Sequence, residues 1–190
     1  MLWSLNAMRN LPVLARDGRA GFVTDVYFDD ARWTVRYLVV DTGHAMPQRE
    51  VLIAPSAIER DRTGIDAIHL TLERADVEWS PDAGIDLPLS LQDGIADVRP
   101  PGDPHLRSSE VVISYAIEAL DGPFGHLEDL LADDRDWSIA CLVLATWPGG
   151  RRRLVPPVAV RAVDRPERKV RLALRRSQLR PSTVAGPVHT

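Results

Sequence analysis

Apolar and polar positions in this 190-residue chain alternate over short stretches and are punctuated by turn residues, the signature of strands rather than of long helices. Residues 21–28 and 125–132 read as strands. Each follows a tight-turn pair, Asp17-Gly18 or Asp121-Gly122, where glycine tolerates the positive φ of a hairpin. Polar turns come next at Asp29-Asp30-Ala31-Arg32 and Asp133-Asp134-Arg135-Asp136, each closed by a tryptophan, Trp33 or Trp137. The next strands, 34–41 and 138–145, are apolar at both parities in their centres, so both faces need cover. In a module this small, the second cover has to come from the other copy or from another chain. Short strands at 51–53 and 154–155 end in proline. Ile68, Leu70 and Leu72, like Val170, Leu172 and Leu174, alternate with polar residues, one face buried and one solvated. Brief helical turns are expected at 72–79 and 174–179.

These elements come twice. Asp17-Gly18-Arg19-Ala20-Gly21 matches Asp121-Gly122-Pro123-Phe124-Gly125 at an offset of 104 residues. The same offset takes Leu2 and Ser4 to Leu106 and Ser108, Asp25 to Asp129, Trp33 to Trp137, and Leu38-Val39 to Leu142-Val143. Beyond the loop at 43–50 the offset is 102, with Leu52, Pro55 and Ala57 falling on Leu154, Pro157 and Ala159. An internal duplication is therefore expected, since single matches arise by chance but not in one register over a whole module. Residues 88–104, rich in proline and glycine, read as a linker between modules at 1–87 and 105–184, with 185–190 as a frayed tail. The expected fold class is all-β, mainly β, with two small barrels or rolls and short helical turns.

These residues resemble the PRC-barrel family, the small β-barrel named from the cytoplasmic part of the photosynthetic reaction centre H subunit. The family's barrel is also found at the end of a ribosomal RNA processing factor. The resemblance is carried by Asp17-Gly18, Gly21, Asp25, Trp33 with Tyr37-Leu38-Val39-Val40-Asp41, and Val51-Leu52-Ile53-Ala54-Pro55. Leu70-Thr71-Leu72-Glu73-Arg74 with Ser80-Pro81, then Pro88-Leu89-Ser90-Leu91-Gln92, is similar to the extension of stand-alone bacterial members. The second module departs from the pattern at Cys141 and Ala145, where the first has Tyr37 and Asp41. The resemblance implies a barrel fold and no catalytic residues, because the family has no general reaction; with the duplication, two such barrels related by a pseudo-two-fold are expected. Reaction-centre members carry a transmembrane anchor, and no apolar run here approaches the roughly 20 residues a span needs. No secretory pattern opens the chain, so a cytoplasmic location is expected.

Candidate chemistry is sparse. Cys141, the only cysteine, lies in an apolar run and reads as a small buried hydrophobe. His44, His69, His105, His126 and His189 show no pair at helical spacing, so neither a metal ligand pair nor a catalytic triad is indicated, and no cofactor is expected. Asp25 and Asp129 share strand parity with apolar neighbours and need partners. They read either as a paired acid site across the modules or, preferably, as structural acceptors of backbone N–H groups from the neighbouring turn. Asp29-Asp30 and Asp133-Asp134 lack the spacing of a calcium loop and read as solvated turns.

Charge differs most between the halves. Residues 148–181 hold eleven basic residues against Asp164 and Glu167, a balance of +9, while the rest of the chain has 12 basic and 25 acidic residues, a balance of −13. Arg151, Arg152, Arg153, Lys169, Arg171 and Arg175 form an expected basic edge that either attracts phosphate or an acidic protein surface, or meets the acidic first module, or stays solvated. The functional expectation is a non-enzymatic binding or assembly adaptor acting through protein contacts, with a homodimer as one form. The alternative is a ribosome- or RNA-associated factor using the arginine edge, and a ligand pocket at the junction of modules is a third reading.

Overall fold

A computed structural model describes residues 1–43, 49–64, 66–88, 91, 103–146, 150–179 and 188–189. Most of the expected linker and His44 lie outside them. The first half runs β1 (Leu2–Ser4), α1 (Leu5–Met8), β2 (Pro12–Ala15), β3 (Gly18–Asp29), β4 (Thr34–Asp41), β5 (Glu50–Ile53), β6 (Ile68–His69) and α2 (Arg74–Glu78). The second runs β7 (Leu106–Ser108), α3 (Ser109–Val112), β8 (Ala116–Ala119), β9 (Gly122–Asp133), β10 (Ile139–Ala145), β11 (Arg153–Val155), β12 (Val160–Asp164) and β13 (Lys169–Leu172). The protein is mainly β, and element bounds from β1 to β3 recur at the 104-residue offset in β7 to β9, while β10 begins one residue later than the offset of β4. Single-turn helices at Pro55–Ala57 and Pro157–Ala159 recur at 102.

The recurrence extends to backbone conformations that side chains rarely adopt. Asn10 and Ser114 have φ of 70° and 90°, and Trp33 and Trp137 have 54° and 60°. Asn10 N–H donates to Val23 O at 2.7 Å, and Ser114 N–H to Leu127 O at 2.8 Å. The hairpin glycines behave as expected, Gly18 at +143° and Gly122 at +122°. At Gly21 and Gly125 the requirement is close approach, since a Cβ would lie 2.1 Å from Asp41 O or 1.9 Å from Ala145 O.

Two sheets result. One has the order β5-β4-β3-β2-β6 with β7 added to β3, the other the order β11-β10-β9-β8-β13-β12 with β1 added to β9. Each half therefore gives its first strand to the other half's long strand. Leu2 pairs with Asp133 and Ser4 with Leu131, while Leu106 pairs with Asp29 and Ser108 with Tyr27. Among the described residues the outermost strands of each order do not pair with one another, so neither sheet is closed by hydrogen bonds. Within the tail expected to fray, Val188–His189 instead form β14, which pairs in parallel with Leu2 and Trp3 of β1 because that strand's far edge is otherwise open.

One apolar core fills the space between the sheets and draws on both halves, from Leu5, Met8, Val13, Val26 and Phe28 to Ile117, Leu130, Leu142 and Val170. A second, smaller cluster lies on the other face of β3 and β4, where Tyr27, Val39 and Leu52 are covered by Ala83 and Leu106, with Tyr37 and Leu91 packed against them. This answers the double apolarity of β4: its second cover comes from the other half's first strand and from the extension after α2.

Candidate functional site

The polar residues that sequence singled out converge on the junction of the two halves. β-Bulges decide their placement. The β3–β4 register shifts between Val23 and Asp25, and the β9–β10 register shifts between Asp129 and Leu127. Alternation is broken there, so Val23 and Leu127 enter the core while Asp25 and Asp129 leave it for the opposite face. The corner between the exchanged strand and its short helix then sits over each carboxylate.

Asp25 Oδ1 accepts from Ser109 Oγ at 2.8 Å, from Glu110 N–H at 3.0 Å and from its own neighbour Val26 N–H at 2.7 Å; Ser108 Oγ donates to Oδ2. Asp129 Oδ1 accepts from Asn6 N–H at 3.1 Å and Leu130 N–H at 2.7 Å, and Ser4 Oγ donates to its Oδ2. Each serine also caps its own helix, Ser4 accepting from Ala7 N–H at 2.9 Å and Ser108 from Val111 N–H at 3.2 Å. Helices of four residues have no independent stability, so these bonds and the burial of Leu5, Met8 and Val112 hold them. The structural reading of both aspartates is thus given its partners, but apart from Val26 N–H and Leu130 N–H these belong to the opposite half and not to the neighbouring turn.

Burial raises the carboxyl pKa of Asp25 and of Asp129, against the lowering effect of the hydrogen bonds each accepts. Neither carboxylate bonds to the other. Both spend their acceptor capacity on fixed donors, an arrangement that joins the halves and leaves little for acid–base work.

The acid pairs also differ from a solvated turn. Asp29 is buried and accepts from Ala31 and Arg32 N–H at 2.9 Å, and Asp30 meets Arg107 Nη2 at 2.7 Å and His105 Nδ1 at 3.0 Å across the junction. At the matching place in the second half, Asp134 meets the Met1 ammonium at 2.7 Å. Asp133 is held well below the carboxylate range by its hydrogen bonds from Arg135.

The basic edge is largely neutralised within its own half. Arg152 forms a two-pronged pair with Glu128 at 2.9 and 2.8 Å. Lys169 lies 2.8 Å from Glu167, and Arg171 reaches Glu118, Asp164 and Glu167. Arg153 donates to the carbonyls of Leu179 and Arg151. Arg151 and Arg175 are exposed and make no ion pair among the described residues. Of the alternatives, a meeting with the acidic first half finds no ion pair there among the described residues, where Glu118, Glu128, Asp164 and Glu167 stand closer on adjoining strands and turns. Trp147 and Gly149, at the start of this basic region, lie outside the described residues.

Cys141 is half-buried, and burial, then the nearby Asp129 charge, raises its thiol pKa away from nucleophile behaviour. Among the described residues, no group of three or more His, Cys, Asp or Glu side chains converges as metal ligands, and no helix is long and apolar enough to cross a membrane. What fold and junction define is a class: a mainly β protein whose two halves exchange their first strands and carboxylate caps. No family model matches the chain, and no curated protein matches it either.

Sequence reasoning missed the first half's groove, lined by Arg19, Phe22, Thr42, Gly43, Arg74 and Glu78, with a volume of about 790 Å³. Its signal was available: Arg19 beside the Asp17-Gly18 hairpin has Pro123 as its counterpart.

Proposed function

We propose that the chain is a non-enzymatic binding or assembly adaptor, built from two PRC-barrel-like modules at 1–87 and 105–184 related by a pseudo-two-fold. The twin-module reading is supported by Thr34 bridging to Ser138, two positions separated by the 104-residue offset. Around them Val35 N–H donates to Trp137 O at 2.9 Å and Ile139 N–H to Trp33 O at 2.7 Å, the reciprocal pattern an axis between the modules would produce.

The adaptor reading is carried by one observation: the Asp25 and Asp129 carboxylates that sequence offered as chemistry are used as clamps between modules, while the most exposed large apolar side chains differ between them. Trp79 is 86% exposed and Val158 89% exposed. Their counterparts at the 102-residue offset are Pro181 and Ser56. Side chains of this kind supply contact energy at protein interfaces, tryptophan above all. A cytoplasmic protein partner docking on one of these positions is the function this supports.

The test compares the intact chain with Trp79→Ser and Val158→Ser chains in affinity capture from native extract. One defined partner should be retained by the wild-type protein and lost from one variant whose melting midpoint is unchanged. Turnover by the purified protein that a single polar substitution abolishes would contradict the reading.

A further inference from the structure

The arginines differ in their partners in a way that net charge hides. In the basic region, Arg152, Lys169, Arg171 and Arg176 all have acids within ion-pair distance. Residues 1–87 hold 14 acidic residues against 9 arginines, so partners abound. Yet Arg16, Arg19 and Arg74, gathered around one hairpin, form no ion pair and no side-chain hydrogen bond among the described residues, and all three are exposed. Arg19 and Arg74 both line the groove beside that hairpin.

Local geometry fixes this placement. Asp17 Oδ1 accepts Arg74 N–H at 2.8 Å, anchoring the start of α2 to the hairpin turn, and an added Cβ at Gly18 would lie 3.6 Å from Arg74 Cδ. Arg74 therefore passes alongside the hairpin turn. At Gly21 the Asp41 carbonyl stands where a side chain would begin, so this lining position contributes backbone alone. Phe22 supplies an aromatic wall, Thr42 a hydroxyl, and Glu78 a carboxylate acceptor.

The second half lacks this constellation. Pro123 stands at the place of Arg19 and His126 at that of Phe22, and Arg176, the counterpart of Arg74, has its Nε 3.6 Å from Asp121 Oδ2. Asp17 has the same opportunity but is engaged by Arg74 through the backbone alone.

We propose that this groove binds a nucleoside monophosphate. The guanidinium groups of Arg19 and Arg74 hold the phosphate, an anion that arginine can bind through paired N–H donors. Phe22 stacks on the base, and Glu78 accepts from ring amino or ribose hydroxyl groups. The Glu78 carboxylate on the same wall disfavours a polyanion more than a mononucleotide. A volume of about 790 Å³ falls within the range of small-ligand clefts. This inference is independent of the adaptor reading, since neither Trp79 nor Val158 lines the groove.

Calorimetric titration of the full chain with AMP, adenosine and inorganic phosphate tests it. AMP should bind saturably, with adenosine and phosphate each weaker by about tenfold or more, because each keeps only one of the two contacts. The double variant Arg19→Ala, Arg74→Ala should lose about tenfold or more in AMP affinity at an unchanged melting midpoint, as both side chains are exposed and unpaired. Arg152→Ala should bind as wild type. No saturable AMP binding up to about 5 mM, undiminished binding by the double variant, or phosphate binding as tight as AMP would overturn the proposal.

Discussion

The two halves repeat their elements from β1 and β7 through the single-turn helices at Pro55–Ala57 and Pro157–Ala159, and finish the outer face of their long strands differently. In the first, Tyr27, Val39 and Leu52 are sealed beneath Ala83 and a fully buried Leu106. In the second, the positions at the same offsets are Leu131, Val143 and Leu154, and the strand laid beside them carries Leu2, which stays half-buried. The extension after α2 makes the difference, for its Pro81 carbonyl accepts from Leu52 N–H at 2.8 Å and its Ala83 N–H donates to Glu50 O at 2.9 Å, which brings Ala83 onto the face. Repeating a sequence pattern thus repeats the backbone, while the cover of a face depends on the segment that leaves the module's last helix.

The largest effect should separate the two exchanged strands. Leu106→Ala removes a fully buried side chain and should cost about 3 kcal/mol, whereas Leu2→Ala at the matching position should cost about 1 kcal/mol, both read from denaturant unfolding. Equal costs would break the comparison. Next come the clamps. Asp25→Ala strands Ser108, Ser109, Glu110 N–H and Val26 N–H at a buried site and should cost about 3 kcal/mol; Asp129→Ala, with three donors at a partly exposed one, should cost about 2 kcal/mol.

The pH dependence sharpens this pair further. A carboxyl whose folded pKa is raised holds its proton more tightly in the folded chain than in the unfolded one. Its contribution to stability therefore falls as pH rises from the ordinary carboxylate value through the raised folded one, and is level above that. Asp25→Asn removes this contribution, so its melting deficit against wild type should shrink between about pH 4 and pH 7. A deficit that grows over that interval would show that the bonded carboxylate is favoured in the fold. The smallest effect belongs to the basic edge: Arg152→Ala breaks an exposed pair with Glu128 and should change stability by about 0.5 kcal/mol or less.

Much of this fold was legible from residues alone. Asp17-Gly18 and Asp121-Gly122 marked hairpins that form as read, and the double apolarity of β4 demanded a second cover that exists. The helices α1 and α3 left no trace, because four residues are too few for a helical period. Asp25 seemed to share a face with Val23 as well as Tyr27, since a bulge is a feature of pairing rather than of composition. Pairing between halves was equally hidden: nothing in Leu2-Trp3-Ser4 says that its partner strand ends at Asp133. The basic edge was visible as a run of arginines, but its neutralisation required knowing that Glu118 and Glu128 lie on adjoining strands.

The central claim is that exchange of β1 and β7 binds the halves into one cooperative unit. It is tested most directly by placing a specific protease site within residues 92–102 of the full chain, cutting it after folding, and monitoring both size and unfolding. The two pieces should co-elute as a single species and melt in one transition near that of the uncut chain. Separation into two independently folded pieces, each with its own transition, would contradict the account.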